Sequence, residues 1–84
     1  MRLTDVKVVK VENGGNVKGV ASIVIDNEIC VRDIKLVQGD TELVIIMPSR
    51  KMLNGDFKNI THPTTTEARE KIQKAIIEEY KQIV

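Results

Sequence analysis

The sequence predicts an α+β fold: an antiparallel β-meander of four to five strands followed by one C-terminal helix. Three observations predict it. Turn-forming residues recur at short, regular intervals through residues 1–47. The apolar residues between them are dominated by Val, Ile and Leu, with one Phe, one Tyr and no Trp, a composition suited to strands. After Pro63 the apolar period changes from that of a strand to that of a helix. With 84 residues, one domain of limited core is expected over 1–84, divided into a sheet (2–47), a basic connection (48–64) and a helix (65–82).

The first strand is expected over Leu3 to Val11, with a bulge where Val8 and Val9 break the alternation. Asn13-Gly14-Gly15-Asn16 tolerates positive φ and turns the chain into Val17 to Ile25. Asp26-Asn27 reads as a two-residue turn into Ile29 to Val37, and Gln38-Gly39-Asp40 leads to Leu43 to Met47. Pro48 ends that strand. A polar connection follows, with Asn54-Gly55 as a tight turn and Phe57 to Ile60 as a short added strand. In the last segment Ala68, Ile72, Ala75, Ile76 and Ile83 form one helical stripe. Thr64 with Glu67 reads as a capping box. Glu67 with Lys71 and Glu70 with Lys74 are acid-before-base pairs four residues apart.

Strands two and three carry apolar residues on both faces by alternation. Val20 and Val24 oppose Ala21, Ile23 and Ile25; Ile29, Val31 and Val37 oppose Ile34 and Leu36. One helix covers one face of a sheet, so either a second copy or the folded-back connection must cover the rest. A homodimer formed through the sheet is the expectation.

No catalytic constellation emerges, and no enzyme is expected. Cys30 and His62 are the only thiol and imidazole, and Cys30, between Ile29 and Val31, reads as a small packed residue. One Cys and one His do not make a transition-metal site, and Asp26 with Glu28 has no ligand spacing. Gly14-Gly15 is a hairpin tip with no following Lys-Ser or Lys-Thr, so it is not a phosphate loop. Glu78-Glu79 read as solvated carboxylates near a helix end. Neither a cofactor nor a small-molecule substrate is expected. The single cysteine, the charged opening segment and the lack of a long apolar run together point to a soluble cytoplasmic protein without a membrane partner.

The charge pattern carries more. The whole chain has a formal net charge of +1. From residue 50 to 74 the bases are Arg50, Lys51, Lys58, Arg69, Lys71 and Lys74, against Asp56, Glu67 and Glu70, a local surplus of +3. Arg50 and Lys51 follow a strand end, in a loop. Thr61, Thr64, Thr65 and Thr66 add hydroxyls, and the helix start offers free N–H groups to an anion. This is a modest phosphate-binding surface, doubled in a dimer. His62, before Pro63, is either a further phosphate contact or a structural residue fixing the approach to the helix, and Lys58 is open to the same two readings. Phe57 and Tyr80 are too few for a stacking platform.

These residues also resemble a known family. Val31-Arg32-Asp33-Ile34-Lys35-Leu36-Val37 is similar to the central strand motif of the SpoVG (septation, or stage V sporulation protein G) family. Ile46-Met47-Pro48-Ser49-Arg50-Lys51 is similar to its strand-end motif, and Gly55-Asp56-Phe57-Lys58-Asn59-Ile60-Thr61-His62-Pro63 to its Gly-Glu-Phe-x-Asp-Ile-x-His-Pro signature. Thr4-Asp5-Val6, Ala21-Ser22-Ile23 and Arg69 also fit. The departures are small: Arg50-Lys51 where Lys-Arg is common, Asn59 for Asp, and Asp56 for Glu. None removes a cation.

The resemblance implies a small bacterial β-sheet protein with a C-terminal helix, dimerising through its sheet. It implies regulation of gene expression by binding DNA, and in some members RNA, with effects on septation and sporulation. It places nucleic-acid contacts on Arg50, Lys51 and the helix start from Thr66 through Arg69, Glu70 and Lys71, with Lys74 beyond. The competing expectation is a non-enzymatic protein-interaction module acting on division or envelope machinery. Such a module would expose an apolar or aromatic anchor, and only Phe57 and Tyr80 are candidates.

Overall fold

The computed structural model describes residues 1–84. Four antiparallel strands, β1 (Leu3–Lys10), β2 (Val17–Ile25), β3 (Ile29–Gln38) and β4 (Leu43–Ile46), pair in chain order. They are followed by a separate hairpin, β5 (Ser49–Lys51) and β6 (Phe57–Asn59), and by one helix, α1 (Thr66–Ile83). The α+β meander with a C-terminal helix is therefore present. The connection after Pro48 differs from expectation: Arg50 and Lys51 lie in a strand rather than a loop. Their partner strand is the one anticipated around Phe57.

The turns follow their residue chemistry. Asp26 and Asn27 both have positive φ, 52° and 56°, and the Glu28 N–H donates to the Ile25 carbonyl at 2.9 Å. That is a two-residue turn whose twist matches the strands it joins. Gly55, at φ 91°, closes the second hairpin, where the Gly55 N–H donates to the Met52 carbonyl at 3.0 Å.

The bulges are not where the alternation slips. Val8 and Val9 pair in regular register with Ala21 and Val20. The extra residue in β1 is Thr4, between the pairs Leu3–Ile25 and Asp5–Val24. Its hydroxyl accepts from the Asn27 N–H at 2.9 Å, tying the bulge to the turn. This shift puts Leu3, Val6 and Val8 on the core side together. A second bulge changes the face assignment of β3. Between Ala21–Ile34 and Ile23–Val31, β3 spends one residue more than β2, and Asp33 takes φ 61°. Val31 therefore shares the buried face with Ile34 and Leu36 instead of opposing them. A one-residue shift reverses every side chain beyond it.

The core consists of Ala21, Ile23, Val31, Ile34, Leu36, Ile45, Met47, Ile72 and Ile76. Ile72 and Ile76 are the helix's buried residues, and Ile77 and Tyr80 pack beside them. Ile83 of the expected stripe is 43% exposed, because it lies in the last turn. Tyr80 approaches β2 where a side chain is missing: a Cβ on Gly19 would meet the Val9 carbonyl oxygen at 3.2 Å and the Tyr80 ring at 3.8 Å. Cys30 is exposed rather than packed, near the start of β3 and across from Val24.

The helix cap is also one residue later than the sequence pattern indicated. Thr65 is the N-cap, and its hydroxyl accepts from the Ala68 N–H at 3.0 Å. Glu67 is then the second helical residue, not the third, so no capping box forms with Thr64. The acid–base pairs of the helix stay apart: the only ion pair within 4.0 Å is Lys10–Glu12, between the end of β1 and the turn after it.

Candidate nucleic-acid interface

The hairpin β5–β6 carries three of the six cations of the basic segment. Its register pairs Ser49 with Asn59, Arg50 with Lys58 and Lys51 with Phe57. Side chains alternate across a strand. Arg50 and Lys58 therefore project from one face, and Lys51 and Phe57 from the other. The two consecutive bases do not form one patch; the pair that does is Arg50 with Lys58. Directly opposite residues in such a ladder have Cβ atoms about 5 Å apart, and like charges there destabilise the hairpin. Every residue of both strands is exposed. No carboxylate lies within 4.0 Å of either cation.

The hairpin is closed at both ends. At its tip the Met52 N–H donates to the Asp56 carbonyl at 2.6 Å. The Asn54 side chain accepts from the Asp56 N–H at 3.0 Å and donates to its carboxylate at 3.1 Å. Asp56, the one acid of this hairpin, is thus turned toward the tip. At the base the Ile60 N–H donates to the Pro48 carbonyl at 2.8 Å. Apolar side chains are also displayed here: Leu53 is fully exposed, Phe57 is 68% exposed and Ile60 66%.

The helix-start residues are placed differently. The Arg69 guanidinium donates to the Ile45 carbonyl at 2.9 Å, and the Gln73 side chain accepts from the Ile45 N–H at 3.1 Å. β4 is an edge strand, and these two contacts occupy both outward backbone groups of Ile45. Exposed strand edges pair readily with other chains unless covered, so Arg69 has a bracing role here. Lys71 donates to the Met1 carbonyl, tying the helix to the chain start. Thr66, Glu70 and Lys74 are exposed on the helix. His62 turns back on its own chain, its Nδ1 3.2 Å from the Pro63 carbonyl oxygen, and with Pro63 it lines a small apolar recess beside Ala68 and Ile72.

Two features were not readable in sequence. Lys58 as the cross-strand neighbour of Arg50 is set by a register between three-residue strands. The second is a pocket at the base of the hairpin, lined by Asp33, Lys35, Ile46, Pro48, Ser49 and Ile60 among others. The positive φ of Asp33 carries no signal inside a Val- and Ile-rich strand. No helix is long and apolar enough to cross a membrane.

Comparison with known proteins agrees with the motifs. The family model described as SpoVG matches residues 1–82. A protein of Clostridium beijerinckii named "Putative septation protein SpoVG" is 51% identical over 84 residues, covering 100% of this chain and 92% of the relative. A relative of the same name from Clostridium kluyveri is 49% identical, covering 99% of this chain and 86% of its own length. A third, from Caldanaerobacter subterraneus subsp. tengcongensis, is 50% identical over 80 residues, 95% of this chain and 88% of its own. With its motifs, its fold and near-complete coverage in agreement, the chain belongs to the SpoVG family.

Proposed function

We propose that this chain is a non-enzymatic, cytoplasmic nucleic-acid-binding regulator of gene expression, contacting DNA or RNA through the β5–β6 hairpin and acting as a homodimer. The relatives' name points to septation or sporulation as the process it serves.

The observation that carries this reading is the exposed Arg50–Lys58 pair. A two-stranded hairpin is marginally stable on its own, and this one stands off the core with like charges facing each other. Repulsion of that kind is relieved when phosphates lie between the cations. Lys51 sits on the other face, beside Phe57, where it extends the positive field without joining the pair. Arg69 and Lys71 are engaged within the chain, while Thr66, Glu70 and Lys74 are available along the helix.

The exposed Leu53 and Phe57 favour a protein contact as well. We assign that contact to a second copy: the Phe57 face of the hairpin meets the partner chain while the Arg50–Lys58 face meets the phosphates.

The test is a binding titration against duplex DNA and single-stranded RNA at two salt concentrations. Arg50→Ala with Lys58→Ala is expected to weaken binding to both and to flatten the salt slope by about 1 unit per cation lost. Lys51→Ala has the smaller effect. Unchanged affinity and slope in the double variant would overturn the phosphate role of the hairpin.

A further inference from the structure

The pocket at the base of the hairpin combines features that the phosphate contacts do not use. It encloses about 230 Å³, which is small beside pockets for drug-sized ligands and suited to one flat ring system. Ile46, Pro48 and Ile60 supply apolar walls; Asp33, Lys35 and Ser49 supply polar groups. Ile46 is the cross-strand partner of Lys35, and the hydrogen bond from Ile60 to Pro48 seats the second wall against the first.

Asp33 stands at the extra residue of the bulge in β3, with a left-handed φ of 61°, and it borders both this pocket and the shallow recess beside Arg32 on the far face of the sheet. Asp is one of the few residues that adopt this conformation readily. Asp33 and Lys35 line one cavity, yet no ion pair within 4.0 Å joins them. A carboxylate accepts two hydrogen bonds side by side, and an ammonium only donates.

We propose that this pocket takes the base of an unpaired guanine nucleotide, with Asp33 accepting from N1–H and the N2 amino group and Lys35 donating to O6. The assignment rests on the nucleic-acid reading above and extends it to base selection. Guanine presents two adjacent donors followed by an acceptor, matching the carboxylate and ammonium in turn. Adenine and cytosine place an unprotonated ring nitrogen against the carboxylate, and uracil offers it a single N–H. Contacts to N1–H, N2 and O6 need a free Watson–Crick edge, which only a single strand, a loop or an end offers. Ser49 in the wall directly precedes Arg50, and Ile60 lies two residues after Lys58, so the flanking phosphates fall to the cation pair.

The experiment measures binding of the full chain to an oligouridylate RNA, and to the same RNA carrying one central guanine or inosine. Wild type is expected to bind the guanine RNA about tenfold more tightly than oligouridylate, with inosine, which lacks the N2 amino group, in between. Asp33→Asn, which keeps a residue tolerant of positive φ, is expected to lose the guanine preference with its salt slope unchanged. Lys35→Met is expected to reduce the same preference. An unfolding midpoint for each variant confirms that it folds. Binding without guanine preference in wild type, a preference for another base, or full preference in Asp33→Asn overturns the pocket assignment and leaves phosphate binding standing. Failure of wild type to bind either RNA or duplex DNA at low salt overturns both.

Discussion

Arg69, a candidate for the nucleic-acid surface, also makes a contact within the chain. Its position beside the apolar stripe puts the guanidinium at the boundary between helix and sheet. There it donates to the Ile45 carbonyl on the open edge of β4, with no acid within 4.0 Å. Removing a donor from a partly buried carbonyl costs about 1 kcal/mol, since water replaces it only in part. Arg69→Ala is expected to lower unfolding stability by about that amount in urea denaturation. Its effect on nucleic-acid affinity is expected to be smaller than that of the Arg50→Ala, Lys58→Ala double variant. An unchanged denaturation midpoint together with a large loss of affinity would return Arg69 to the binding surface. The turn residues are the contrasting case: Asn13, Asp26 and Asn27 adopt positive φ, as their side-chain chemistry anticipates. Asp33 does the same inside a strand, where that chemistry gives no warning.

At the scale of an element, the β5–β6 hairpin sets stability against the function proposed for it. Arg50 and Lys58 face each other across its ladder, and exchanging one charge turns repulsion into attraction. Lys58→Glu is therefore expected to stabilise the protein by a few tenths of a kcal/mol, up to about 1, while weakening nucleic-acid binding and flattening its salt slope. Thermal unfolding and the two-salt titration read the two effects separately. A variant that is both less stable and unaltered in binding would contradict this account. The hairpin itself was only half legible. Asn54-Gly55 signals its turn, but its strands have three residues each. Alternation needs about four residues or more to register as a strand, and a stretch rich in Lys, Asn and Asp reads as a connection.

For the whole molecule, the decisive fact is that one helix covers one face of a four-stranded sheet. The bulges at Thr4 and Asp33 gather Leu3, Val6, Val31 and Ile34 onto that face. The far face is left mixed, with Lys7, Ser22 and Arg32 around Val9 and Val20. Apolar side chains are exposed on the sheet, at Val9 and Ile29, and on the hairpin, at Leu53, Phe57 and Ile60, so the hairpin does not serve as a cover. Under the proposed dimer, wild type is expected to sediment as a dimer at micromolar concentration, and Leu53→Glu with Phe57→Glu as a monomer. The core is expected to stay folded, because neither residue belongs to it. A double variant sedimenting as a dimer would place the contact elsewhere, with the far face of the sheet the first alternative.

The sequence by itself determined the strand order, the turns, the change to a helix after Pro63 and the family, because these rest on local chemistry and short-range period. It also located the basic segment, since charge surplus is a property of composition. The tertiary structure alone decided which cations stand side by side. Register, not adjacency in the chain, places Arg50 beside Lys58 and sends Lys51 to the opposite face. Pairing also decided the bulges, because an extra residue exists only relative to the strand across from it. The pocket joining Asp33 to Ile60 brings together residues from the middle of one strand and the far end of a hairpin, a proximity that no local pattern encodes.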